Sequence, residues 1–172
     1  MQQVIRPLDY LTWNYRQMDS KDFIQMAGMV DGEILKGAVG PSLKVASEVS
    51  SDKVGKIHAI ALVYRDMAVS STRFITHHDS INALYLHLRA NPLYARVLGY
   101  IVGFSTVDDW FLDPWQAFRV AQDKKQIHPS YYTDERVPLY TNQVLFFNNL
   151  PTSITQLPSP IIKKQFVSLH HF

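Results

Sequence analysis

The sequence predicts an α+β fold: a mixed or antiparallel sheet with strands near both ends of the chain and a helical middle over about residues 80–126. Three observations carry this expectation. Strand-like runs stand at residues 9–18, 137–147 and 161–169. The run at 56–66 is apolar on both of its alternating faces, which is the pattern of a central strand. Between 80 and 126, apolar residues recur mostly at helical spacing.

Taken in order, Leu11, Trp13 and Tyr15 alternate with Thr12, Asn14 and Arg16, as in a half-buried strand. Asp19 is placed as a helix N-cap, Phe23, Ile24, Ala27 and Val30 follow at helical spacing, and Gly32 is a stop, so a helix is predicted over 20–31. Residues 33–55 are broken by Gly37, Gly40 and Pro41. There Leu43, Val45, Ser47 and Val49 alternate as in a strand, while Val45, Ala46 and Val49 also fit a helix face; strand is favoured. In 56–66, Ile57, Ala59, Ala61 and Val63 line one face and His58, Ile60, Leu62 and Tyr64 the other. A partner strand is predicted at 73–76, reached through a connection at 67–71.

Asp79 or Ser80 is expected to cap a helix over about 80–90, on which Ile81, Leu84, Tyr85 and Leu88 form one stripe. Asn91-Pro92 ends it, and Pro92 suits the first position of a second helix. Leu93, Val97, Tyr100, Ile101 and Phe104 continue at helical spacing, with a strand at 100–104 as the alternative. Asp113-Pro114 opens a third helix, over 113–126, with Trp115, Phe118 and Ala121 inward and Lys124 and Lys125 matched to its C-terminal dipole. Beyond it the character changes, since residues 127–160 hold five of the nine prolines.

The 172 residues fit one domain spanning 1–172, with a Pro- and aromatic-rich segment of loop and strand at 128–160. A hydrophobic fraction of 47% against 19% charged excludes disorder of the whole chain. A net charge of +2 is too even for tracking along nucleic-acid phosphates. The absence of cysteine excludes disulfides, thiolate metal sites and cysteine nucleophiles. Arg6, Pro7 and Asp9 interrupt any secretory h-region, and the longest apolar stretch, 92–104, contains Arg96 and falls short of the roughly 20 residues of a membrane helix. No signal peptide and no membrane span are expected, and the expected location is cytoplasmic or within a particle.

The densest polar cluster is His77-His78-Asp79, with His87 on the helix that follows and His58 on the predicted central strand. Imidazoles and carboxylates of this kind can hold a divalent metal that activates water, which would make His77, His78, Asp79 and Asp108 the catalytic set of a hydrolase. The His78-Asp79 doublet resembles the signature doublet of HD-type phosphohydrolases. That family carries it in a helical bundle with one earlier His and one later Asp; here the likeness covers two residues, which precede a predicted helix and have strands as neighbouring elements. The favoured reading has Asp79 as a helix cap, the histidines in a surface turn, and no metal or cofactor. Thr106 to Asp109 has capping-box spacing ahead of Trp110 and Phe111, and Asp134-Glu135 reads as a solvated turn. Gly37-Ala38-Val39-Gly40 fits no phosphate loop, and neither G-x-S-x-G nor H-E-x-x-H occurs. Arg73 beside Phe74 and Lys164 near Phe166 are a thin basis for stacking nucleic-acid bases.

Aromatic residues make up 12% of the chain, and several fall in the Pro-rich third. Tyrosine on a loop supplies contact area at low entropic cost. Tyr131, Tyr132, Tyr140, Leu157 and Phe172, with Leu150, are therefore expected to form a protein interface. The function expected is a non-enzymatic interaction or structural subunit that binds other subunits or itself, as an oligomer or within an assembly such as a viral particle. The alternatives are the metal-dependent hydrolase and a small nucleic-acid-binding module.

Overall fold

Ile57–Tyr64 forms strand β3 and is buried along nearly its whole length, as a run that is apolar on both faces requires. The computed structural model describes residues 18–89 and 100–145. In it β3 lies between β4 (Met67–Ser71) and β5 (Tyr100–Thr106), antiparallel to both. β1 (Glu33–Val39) runs parallel to β4, β2 (Leu43–Val45) antiparallel to β1, and β6 (Phe111–Leu112) antiparallel to β5. The order is β2-β1-β4-β3-β5-β6, a six-stranded mixed sheet. Its two edges nearly meet, because Lys44 bridges Trp110 in parallel and donates its N–H to the Asp109 carbonyl at 3.0 Å. With α1 (Ser20–Ala27), α2 (His77–Leu88) and α3 (Pro114–Asp123) the described residues form an α+β domain shaped almost as a barrel. None of these helices is long and apolar enough to cross a membrane.

Alternation along the strands divides the core. Ala61 and Val63 pack with Leu35, Ile101 and Phe111 on the inner side, where α1 contributes Phe23 and Ile24. Leu62 and Tyr64 pack on the other side with Ile81, Leu84 and Tyr85 of α2. Ile60, Phe104 and Leu112 meet Ala117, Phe118 and Ala121 of α3. Each large side chain fully buried this way contributes about 1.5–3 kcal/mol. On the inner wall one pair of small residues, Ala61 and Gly103, stands opposite across β3 and β5. A Cβ at Gly103 would lie 2.1 Å from the Leu112 carbonyl oxygen and 2.8 Å from Cζ of Phe111, so the Phe111 ring and the β6 backbone take that space.

Several elements depart from the sequence reading. Tyr100–Thr106 is a strand, the alternative rather than the favoured helix, because its seven residues are all buried and pair along β3. The middle of the chain therefore holds β5 and β6 between two helices. The partner of β3 is Met67–Ser71 itself, reached through Arg65-Asp66; residues 73–76 lead into α2 instead. In 33–55 strand prevails as β1 and β2. The helix predicted over 20–31 stops at Ala27, where Gly28 takes the left-handed C-cap with φ 68. Thr106 to Asp109 forms the turn between β5 and β6, not a helix start. Of the strand predicted at 137–147, only a Val144 bridge to Ile127 is present among the described residues. A bulge between Ile57 and Ala59 leaves His58 as the extra residue and moves Ile57 from the Ala61 face to the cluster of Ile60. The strands predicted at 9–18 and 161–169 and the helix start at Pro92 lie outside the described residues, apart from Met18.

Candidate interaction surface

The surface rests on α3, whose first turn is fixed by one carboxylate. Asp113, the N-cap of α3, accepts the Gln116 N–H at 2.7 Å and the Ser20 N–H, at the first position of α1, at 2.7 Å. Gln116 returns the contact by accepting the Asp113 N–H at 2.9 Å, and its amide donates to the Ala46 carbonyl at 2.9 Å. Two helix N-termini thus converge on a single buried side chain. Burial pushes the Asp113 carboxyl above its usual range, against the hydrogen bonds from Gln116 and Ser20.

Past α3 the chain turns back along it as a strap over residues 127–145. Side chains of α3 hold the strap by its backbone. Gln122 accepts the Thr133 N–H at 2.8 Å, and Arg119 donates to the carbonyls of Thr133 at 3.2 Å and Glu135 at 3.3 Å. Farther on, the Leu139 N–H reaches the Pro114 carbonyl at 2.9 Å, so the strap runs antiparallel to the helix. Arg136 lies 4.7 Å from the Trp115 ring centroid and 2.7 Å from the Asp19 carboxylate. The strap then returns to its start, with Leu145 N–H on the Gln126 carbonyl at 2.8 Å. Gln126 also satisfies both main-chain groups of Ile57, each at 2.9 Å, at an end of β3 that the β4 pairing, which starts at Ile60, does not reach. Leu139 and Val144 are buried against α3. Outward, Tyr131 is 43% exposed, Tyr132 41% and Tyr140 51%. At the turn between them and α3, His128 Nδ1 accepts the Ser130 N–H at 3.0 Å and lies 2.9 Å from Ser130 Oγ, a local cap.

The hydrolase candidates are placed differently. His77 opens α2, its ring nitrogens are shielded from solvent, and the ring meets Phe104 edge-on at 5.3 Å between centroids. His78 is exposed. Asp79 is not the N-cap but the third helical residue. Thr76 caps the helix, and Asp79 reaches back to accept the N–H groups of Ile75 at 2.7 Å and Thr76 at 3.2 Å. Ser80 donates to the His77 carbonyl at 2.7 Å. Asp108 sits in the β5–β6 turn, accepting from the Gly55 N–H at 2.8 Å and the Thr106 hydroxyl at 2.6 Å. Partial burial pulls its carboxyl upward, but these bonds outweigh it and hold it below the usual range. Among the described residues no three His, Asp or Glu side chains converge as metal ligands. Leu150, Leu157, Phe172 and Lys163-Lys164 lie outside the described residues.

Burial, reinforced by the neighbouring charge of His78, lowers the His77 pKa to about 3. The unfolded chain therefore takes up a proton near pH 6.5 that the folded chain refuses, and stability falls as pH drops through that value. Between pH 7 and pH 5 His77 is expected to withdraw about 1–2 kcal/mol. Asp113 works with the opposite sign, since a raised carboxyl pKa favours the fold as pH falls. The check is therefore a difference: urea unfolding of wild type and His77→Gln at both pH values. The stability gap between them should narrow at pH 5, and a constant gap would refute the neutral, shielded imidazole.

The strap clamps Arg119 and Gln122, and Gln126, which brackets Ile57 of β3, were not visible in the sequence. Each binds backbone rather than a complementary side chain, so residue type carries no signal of the partner. The chain matches no family model, no curated protein and no solved structure.

Proposed function

We propose that the chain is a non-enzymatic interaction subunit that binds another protein subunit or a second copy of itself through the strap. The setting proposed is a multi-subunit assembly, such as a viral particle. What supports the reading is the combination of three exposed tyrosines with a backbone pinned to α3 by Arg119, Gln122 and Pro114. Aromatic rings carried on an already ordered segment lose little entropy on binding. Their hydroxyl tips tolerate water in the unbound state.

The test is the double variant Tyr131→Ser, Tyr132→Ser. Neither ring belongs to the buried core, so the melting temperature should stay near that of wild type. Association, measured by sedimentation or pull-down with the subunits present, should weaken by about tenfold or more, as expected for aromatic anchors worth about 2 kcal/mol. Wild-type association by a folded double variant would overturn the proposal.

A further inference from the structure

A second surface lies where α1 ends. Gly28 breaks the helix, and the chain turns through Met29 and Val30 into β1. Between this corner and the β3–β4 turn is an open cleft of about 550 Å³, lined chiefly by Met26, Met29, Glu33, Arg65 and Asp66. Met26 in the lining, and Val30 and Ile34 on the segment that leads from it into β1, each expose more than half of their surface. Nothing in the strap overlaps this set of residues.

We propose that the cleft is a docking site for a segment of a partner protein that carries an apolar side chain next to a lysine or arginine. The apolar half of the argument is the pair of methionines, Met26 and Met29, in the lining. Thioether chains are unbranched and polarizable, and they adapt to side chains of different shape. The volume suits one or two side chains rather than a folded surface. The basic half follows from charge. Glu33 and Asp66 supply two carboxylates in the lining, Glu33 with one oxygen accepting the Val30 N–H at 3.1 Å, and the C-terminal end of α1 adds the negative pole of its dipole. The one cation in the lining, Arg65, is drawn over the Tyr64 ring, 5.1 Å from its centroid. The balance therefore favours an incoming cation over an incoming carboxylate. This inference stands apart from the reading of the strap, and neither depends on the other.

The experiment uses the full chain with 13C-methyl methionine and a short amphipathic helical peptide of leucine and lysine as probe. A leucine–glutamate peptide and a serine–lysine peptide are the comparisons. The methyl signals of Met26 and Met29, identified by single Met→Leu variants, should shift with the leucine–lysine peptide and much less with the other two. The pair Glu33→Gln and Asp66→Asn should weaken that binding by about fivefold or more and remove the preference over the glutamate peptide. Met26→Ser should weaken it with the carboxylates intact. Unmoved Met26 and Met29 signals, equal shifts with the acidic peptide, or unchanged affinity in the carboxylate variant would each overturn the proposal. The Tyr131 and Tyr132 double variant should bind the peptide as wild type does, so failure here and failure of the strap are told apart.

Discussion

Asp113→Ala should lower the unfolding free energy by about 2–4 kcal/mol, several times the cost of losing an ordinary exposed cap. The reason is that the carboxylate serves two helices. Its removal takes the acceptor from the Gln116 N–H in α3 and from the Ser20 N–H in α1, at a site that is only 2% exposed. Water cannot enter to replace it without opening the packing. Asp113→Asn keeps one acceptor oxygen and should fall between wild type and Ala. Asp19→Ala is the comparison, since Asp19 caps only α1, by accepting the Asp22 N–H, and its other contact is the exposed pair with Arg136, worth about 0–1 kcal/mol. That change should cost about 1 kcal/mol. Equal losses for Asp19→Ala and Asp113→Ala in urea unfolding would show that Asp113 caps one helix only.

Gly103→Ala should cost about 3 kcal/mol or more, although it adds one methyl group. The nearest atom to the new Cβ, 2.1 Å away, is the Leu112 carbonyl oxygen, which is backbone and cannot rotate aside. Either β6 or β5 must move, and both are held in the sheet. Gly28→Ala separates sterics from backbone strain. Gly28 has φ +68 with nothing within 4 Å of its would-be Cβ, so its loss reflects the left-handed conformation alone, about 1 kcal/mol. Thermal melting of the two variants side by side should rank Gly103→Ala well below Gly28→Ala, and the reverse order would refute the close approach of β6.

Where local rules and tertiary packing agree, the sequence was legible. Asp19 and Asp113-Pro114 start helices because caps act within one turn, and β3 is central because both of its faces are apolar. Where packing overrides periodicity, it was not. Tyr100, Ile101 and Phe104 satisfy a helical spacing, yet the same run is equally a strand buried on two sides, and its length alone does not decide. The bulge at His58 has no sequence mark, so simple alternation puts Ile57 on the wrong face. The turn at Thr106 carries capping chemistry because a Thr hydroxyl and an Asp carboxylate serve a tight turn as readily as a helix start. Of the candidate surface, the exposure of Tyr131 and Tyr132 was legible from their loop context, whereas Tyr140 fell in a run that reads as a strand. The clamps that order them were not, because Arg119 and Gln122 recognise carbonyls and amides that any sequence would offer.

The near-closure of the sheet at Lys44 and Trp110 is also its weakest joint. β2 has three residues and β6 two, and the bond from Lys44 N–H, in the middle of β2, to Asp109 O, just ahead of β6, spans the gap. Local opening needs far less than global unfolding where few bonds must part. The Lys44 amide should therefore exchange with deuterium earlier than the Leu62 amide in the middle of β3. Once the joint parts, the closed form becomes an open sheet with two unpaired edges, the arrangement that invites strand-to-strand association between molecules. Lys44, whose ammonium sits 5.2 Å from the Trp110 ring centroid, then places a charge on one of those edges. The residue that helps close the barrel is thus also placed to discourage aggregation when it opens.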